Sequence, residues 1–318
     1  MTKTATTPAQ TSVIGNPDQA VLSASLEQER GFLRAVAYRI TGTLADADDV
    51  VQEAFIRTLA SPPPLLSATL RPWLLRVATN LAIDVLRRRK RRMYVGPWLP
   101  APFPDQPVET ESAACRYSTR ESVTFAFLVA LEALTPKQRA VLVLRDVLDL
   151  DVRETATVLQ LSETNVKVLH LRARQRLSAY DSARTDTSDA SCQKVNDLLQ
   201  KLLFALAQAD VAQVADLLSQ DVSLLTDGGG KYLAARKPVI GKDAVSLFLV
   251  KVTRGNDPAQ IEVSLPKLCG LPAIFVKNHA ARPQVAPRSV LGIRIDAEGK
   301  ICCLYSVLSD DKLAELTG

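Results

Sequence analysis

Six consecutive cations, Arg87, Arg88, Arg89, Lys90, Arg91 and Arg92, end a helix-patterned stretch; with Arg71 and Arg76 against Asp84 they give residues 71–92 a charge of +7. Such a run suits neutralisation of phosphates and release of their counterions. The alternative is a solvated helix end whose cations meet the C-terminal dipole. A second constellation runs from Val152 to Leu177: a helix over Val152 to Leu159, a turn at Gln160-Leu161-Ser162, and a longer helix from Glu163. This layout places a second helix in a major groove. Val166, Leu169, Ala173 and Leu177 form its inner stripe, with His170 at the margin as a packed or solvent-facing side chain. Glu163, Thr164, Asn165, Lys167, Val168 and Leu171 face outward, and Arg172, Arg174 and Arg176 add charge. Asn and Lys can hydrogen-bond base edges or phosphates. Gln160 stands where a turn glycine is usual and must tolerate a positive φ or alter the turn. A plain packing hairpin is the competing reading.

Catalytic chemistry is poorly supplied. The chain has two histidines, His170 and His279, and five cysteines, Cys115, Cys192, Cys269, Cys302 and Cys303, with no pair at metal-ligand spacing. The cysteines read as buried free thiols. No nucleophile and base can be assembled from spacing, so no catalytic residue, metal or cofactor is assigned. Asp227-Gly228-Gly229-Gly230-Lys231 lacks the following helix that a phosphate loop needs. It is a flexible turn allowing close backbone approach, serving either as a strand connection or as a surface loop touching the linker or the helical domains. Asp227 is a lone acid or base if buried, and a pocket for an unknown small ligand in this part of the chain is a further alternative.

The elements that position these residues follow from periodicity. The chain has 318 residues, enough for two or three folding units. Hydrophobic residues at 47% and charged residues at 23% exclude general disorder. Residues 1–25, rich in Thr, Ala, Pro, Gln and Ser, read as a disordered tail without a secretory signal. Apolar residues recur at three and four positions from Leu26 to Arg92, with breaks at Thr41-Gly42-Thr43 and Ser61-Pro62-Pro63-Pro64, which predicts a helical bundle over 26–95. Leu26 to Ala60 carries six acids against four arginines, so the bundle has an acidic and a basic side. DNA gains nothing from the acidic side, which points to a protein partner. Residues 96–121 form a Pro-rich linker, and helices return over 122–180, where Thr135-Pro136 reads as an N-cap with proline in the first turn. A polar linker over 181–192 leads to residues 193–318, where two helices precede β-rich runs at 222–225, 261–265, 273–276, 290–295 and 301–308, an α+β pattern with a further helix at 241–254. No stretch is long and apolar enough to cross a membrane, so a cytoplasmic protein without membrane association is expected.

Three segments carry a family resemblance: Asp46-Ala47-Asp48-Asp49-Val50-Val51-Gln52-Glu53-Ala54-Phe55, then residues 71–84 from Arg71-Pro72-Trp73-Leu74-Leu75-Arg76 to Asn80-Leu81-Ala82-Ile83-Asp84, then Leu134-Thr135-Pro136-Lys137-Gln138-Arg139 leading into the helix-turn-helix. Over residues 26–180 the chain resembles the extracytoplasmic-function sigma factors, promoter-recognition subunits of bacterial RNA polymerase. The resemblance implies that Asp49, Gln52, Glu53 and Phe55 dock on core RNA polymerase. It implies that Asn80, Asp84, Arg87, Arg88 and Arg91 meet the −10 element of promoter DNA, and that Thr164, Asn165, Lys167, Val168, Arg172 and Arg174 meet the −35 element. A subgroup adds a C-terminal SnoaL-like domain, a curved sheet with helices forming a cone. Trp98-Leu99-Pro100-Ala101-Pro102, Asp227-Gly228-Gly229-Gly230-Lys231 and Ser309-Asp310-Asp311-Lys312-Leu313 resemble its motifs. Ala101 replaces a usual Glu, and Ser309-Asp310 a usual Asn-Pro. The implied fold is multidomain: two all-α sigma domains, a bundle and a helix-turn-helix, plus an α+β SnoaL-like cone. The implied role for Trp98, Leu99, Pro100, Asp227, Gly228, Gly229, Gly230, Lys231, Asp311 and Lys312 is inter-domain regulation. The competing functions are a stand-alone helix-turn-helix regulator and an enzyme or ligand sensor using the cone.

Overall fold

The computed structural model describes residues 17–63, 66–91, 94, 96–104, 121–184, 186–254, 257–280 and 284–316. Three helices, α1 (Pro17–Thr41), α2 (Leu44–Ala60) and α3 (Leu66–Arg91), form the first bundle. Gly42, at φ +81°, turns the chain after α1, and Thr43 caps α2 by accepting from the Asp46 N–H. Helix α1 begins at Pro17, so the stretch read as tail is helical from there; Leu22 and Leu26 on its inner face anchor it in the core. Residues 1–16 lie outside the described set.

The second helical unit opens on a 3-10 turn (Glu121–Val123), followed by α4 (Phe125–Leu131), α5 (Pro136–Leu142), a π-helical turn (Val143–Val147), α6 (Val152–Leu159), α7 (Glu163–Arg176) and α8 (Ser178–Asp181). Thr135 and Gln138 form the capping box of α5, with Pro136 in its first turn. Asp151 and Glu154 do the same for α6. Glu121 ties the unit's ends together, accepting from Tyr180 Oη at 2.8 Å and from Arg184 Nε at 2.9 Å.

The C-terminal unit begins earlier than its sequence pattern suggests. Ser188 caps α9 (Asp189–Ala207), so the second linker is confined to a few residues after α8. Then come α10 (Val211–Leu217), β1 (Leu218–Asp227), β2 (Val239–Ile240), α11 (Lys242–Thr253), β3 (Ile261–Ser264), β4 (Lys267–Leu268), β5 (Leu271–Asn278), β6 (Arg288–Ile295), β7 (Ile301–Val307) and α12 (Asp310–Leu313). The strand order is β2-β1-β7-β6-β5-β3, with β4 paired to β5; β1 runs parallel to β7 and the other pairs are antiparallel. Register shifts between Leu218 and Ser223 and between Arg294 and Ile295 bend the sheet.

Both faces of this sheet are buried. Ile274, Ile293, Leu304 and Leu224 pack under α9, α10 and α11 in the cone's own core. Their neighbours Ala273, Phe275, Val290, Cys303, Tyr305 and Val307 join the core of the two helical units. Strand residues alternate sides, so one sheet serves two cores. Phe125 of α4 stacks on Tyr305 at a centroid distance of 5.7 Å and lies against Gly292, where a Cβ would come within 2.9 Å of its ring.

Candidate nucleic-acid interface and inter-domain junction

The helix-turn-helix matches its sequence pattern. Gln160 adopts φ +53° and ψ +49°, the left-handed turn its position requires, and Ser162 caps α7 by accepting from the Asn165 N–H. Val166, Ala173 and Leu177 are buried, and Leu169 is half-buried. Thr164, Asn165, Lys167, Val168, Arg172 and Arg174 are all exposed, leaving one face of α7 free.

On α3, positions 80, 84, 87, 88 and 91 share one face by helical spacing. Asp84 and Arg87 are exposed and pair at 2.9 Å, and Arg88 is exposed. Asn80 is half-buried, its amide donating to the Arg76 carbonyl at 2.9 Å. The side chains of Lys90 and Arg91, and all of Arg92, lie outside the described residues. The cationic run is divided in use. Arg89 turns inward, donates to the Thr41 carbonyl at 2.6 Å and to Glu132 at 3.2 Å, and lies 3.8 Å over the Trp98 ring. Burial lowers its pKa.

On α2, Asp49 and Gln52 are exposed, and Glu53 pairs with Arg57 at 2.7 Å. Phe55 is 8% exposed, in the bundle core with the Arg30 guanidinium 4.9 Å over its ring, so it offers packing to the helix rather than a free surface. Asp48 pairs with Arg34, whose guanidinium also holds Glu315 from the far end of the chain at 2.9 Å.

The linker is not a free spacer where it is described. Leu99, Pro100 and Ala101 are buried, and the segment threads between the first bundle and the C-terminal unit. The Ala101 N–H donates to the Gly42 carbonyl, Tyr38 Oη donates to the Ala101 carbonyl, and the Cys269 N–H donates to the Phe103 carbonyl. Trp98 fills the space beside Gly42, where a Cβ would approach its ring to 2.5 Å. Residues 105–120, with Cys115, lie outside the described set. The four other cysteines are free thiols; Cys269 and Cys303 are buried, and Cys192 and Cys302 half-buried.

Asp227 is the hub of this junction. It is completely buried, and its carboxylate accepts from Tyr94 Oη at 2.5 Å, the Leu99 N–H at 2.8 Å, the Gly229 N–H at 3.0 Å and Lys312 Nζ at 2.6 Å. Lys312 also donates to the Leu99 carbonyl and lies 4.2 Å from the Trp98 ring. Burial lowers the Lys312 pKa to about 8 against the opposing pull of Asp227, and burial, reinforced by Asp227, raises that of Tyr94. A saturated carboxylate of this kind holds elements together and has no open position for proton transfer. The glycines give it room. Gly229, at φ +63°, would place a Cβ 2.7 Å from Ser309 Oγ, and Gly228 would place one 2.5 Å from the Tyr232 carbonyl, while Gly230 touches nothing. Lys231 is exposed and pairs with Asp310 at 2.6 Å, which raises its pKa. Asp310 is also bonded to Tyr232, and Asp311 beside it is exposed.

The two helical units are joined by buried charged residues, among them Arg139, the last residue of the Leu134–Arg139 segment. Arg139 is 1% exposed, donates from Nε to the Arg39 carbonyl at 3.2 Å and pairs with Glu132, the acid that also receives Arg89. Arg39, whose pKa burial lowers to about 10, donates to Ser122 Oγ at 2.8 Å. Tyr94 and Glu132 lie outside every segment singled out in the sequence; Arg139 and Asp310 lie inside two of them, and their partners are set only when distant segments pack.

A bundle with separated acidic and basic helices, followed by a helix-turn-helix, is the arrangement that the sigma-factor resemblance implies. Residues 26–92 match Sigma-70 region 2, and residues 124–177 match Sigma-70, region 4. The chain is 33% identical over 295 residues to the ECF RNA polymerase sigma factor SigJ of Mycobacterium tuberculosis, covering 91% of this chain and 92% of that protein. It is 28% identical over 309 residues to the probable ECF RNA polymerase sigma factor SigI of the same organism, covering 93% and 98%. The crystal structure of Mycobacterium tuberculosis SigJ superposes with a TM-score of 0.68 at 30% identity over 92% of this chain and 98% of that one. The chain belongs to the family of ECF RNA polymerase sigma factors. The match to SigJ extends through the C-terminal α+β unit, and no described helix is long and apolar enough to cross a membrane.

Proposed function

We propose that the exposed acidic face of α2, with Asp49, Gln52 and Glu53, docks on core RNA polymerase in the cytoplasm, with Phe55 holding that face in place from beneath. The outward face of α3 meets the −10 element through Arg87, Arg88 and Arg91, with Asn80 and Asp84 along the same line. Thr164, Asn165, Lys167, Val168, Arg172 and Arg174 of α7 meet the −35 element. The C-terminal domain regulates these activities by holding the two helical units, and does so by contact rather than by catalysis. The observation that carries the regulatory reading is Asp227, which binds the linker and α12 at once.

Holoenzyme assembly tests the polymerase assignment. Charge reversal at Asp49 and Glu53 is expected to weaken capture of core polymerase at least tenfold with the thermal midpoint unchanged. Wild-type binding by the doubly reversed protein would remove α2 from the interface.

A further inference from the structure

The inner stripe of α7 contains one polar residue, and its partner lies on the π turn. His170 follows Val166 by four residues and precedes Ala173 by three, which puts it on the packed side of the helix. Its Nε2 lies 2.8 Å from Asp146 Oδ1; the side chains are 18% and 8% exposed. With Asp146 ionised, the imidazole donates from Nε2. The turn carries a π-type hydrogen bond, from the Leu148 N–H to the Val143 carbonyl five residues back at 3.0 Å, and the chain closes after it with the Leu150 N–H on the Leu144 carbonyl at 3.0 Å. Such an insertion re-aims the side chains that follow it and recurs where a function requires the new direction. Arg145 on the same turn donates to the Leu150 carbonyl, fixing the loop that enters α6. Both helices of the helix-turn-helix therefore take their placement from this turn.

We propose that Asp146 and His170 are positioning residues for −35 recognition: their hydrogen bond sets the roll of α7 about its axis. This rests on the assignment of α7 to the −35 element. At the C-terminal end of α7, Arg176 donates to the Ala133 carbonyl at 3.1 Å and to Gln138 at 3.2 Å; in the N-terminal half, which carries Thr164 to Val168, the packed residues Val166 and Leu169 are apolar, and the His170–Asp146 bond supplies the direction there. A roll of about 15° moves a side-chain tip roughly 1.5 Å at the radius of a helix surface, which exceeds the ~0.5 Å tolerance of a recognition site. A hydrogen bond weakens steeply with misalignment and resists that roll. Neither residue touches DNA in this scheme, since both side chains face the interior.

The test uses holoenzyme made with the full chain and a −35 element selected by the wild-type holoenzyme from randomised duplexes. The measured quantity is the affinity ratio between that element and a scrambled one, beside binding to a forked duplex carrying only the −10 region. Asp146→Asn retains an oxygen acceptor and is expected to keep the ratio within twofold. The double variant His170→Leu with Asp146→Leu replaces the pair by apolar groups, which preserves folding while removing direction. It is expected to lose at least tenfold in the ratio, with its thermal midpoint and forked-duplex binding intact. A wild-type ratio in the double variant overturns the proposal. A ratio of one for the wild-type holoenzyme itself overturns the −35 assignment beneath it.

Discussion

Lys312 donates to Asp227 at 2.6 Å in a site where the two side chains are 7% and 0% exposed, and the residues are 85 positions apart in the chain. The pair closes the last helix of the cone onto the end of β1, and through Leu99 and Tyr94 onto the linker. A buried pair of this kind is costly to break on one side, about 3–5 kcal/mol, because the survivor stays buried and charged.

Asp227→Ala and Lys312→Ala are each expected to lower unfolding stability by that amount and to raise amide exchange across residues 96–104. The pH dependence has an unusual sign. Burial brings the folded-state pKa of Lys312 down to about 8 from 10.5. Between those values the unfolded chain binds more protons at this residue than the folded one, so its contribution to stability rises with pH. Wild type should therefore gain on Lys312→Met as pH increases from about 8 to about 10.5, measured by thermal unfolding of both. A gap that shrinks across that window contradicts the burial-dominated assignment.

The divided cationic run predicts two phenotypes. Arg87→Ala with Arg88→Ala removes exposed charges and is expected to lower the salt slope of promoter binding by about 1.5, near the ~0.7–0.9 released per phosphate contact. Arg89→Ala leaves the slope unchanged. It loosens the Glu132 and Trp98 contacts instead, visible as faster exchange at Thr41 and Gly42.

Removing residues from Asp189 onward uncovers α4. Phe125, which stacks on Tyr305, and the neighbouring Ala126 lose their covering strands. The truncated protein is expected to bind a hydrophobic dye strongly and to aggregate at micromolar concentration. A monodisperse, dye-silent fragment would mean that the helical units bury this face by themselves. Transcription from the same truncation reports whether the C-terminal domain regulates.

The local elements were legible because each rests on neighbours in the chain. Thr135-Pro136, Ser162 and the 3.6-residue stripes set helix starts and faces over distances of one turn, and the turn at Gln160 accepted the strained φ that its position demanded. The runs 273–276 and 290–295 were apolar on consecutive residues rather than alternate ones, the pattern of strands covered on both faces, but no sequence signal names what covers the second face. The pairing of Asp310 with Lys231, and the withdrawal of Arg89 from the cationic run, were equally invisible, because both depend on which way a side chain turns when distant segments meet.

By itself the sequence determined the kind of protein this is: an acidic helix, a basic helix and a helix-turn-helix in fixed order, each specified by charge and periodicity within its own segment. Only the tertiary structure decided how these parts are held. The junction of Asp227, Lys312, Leu99, Tyr94 and Trp98 joins residues from three regions of the chain, and the burial that saturates its carboxylate and lowers its lysine exists only once those regions exclude water together.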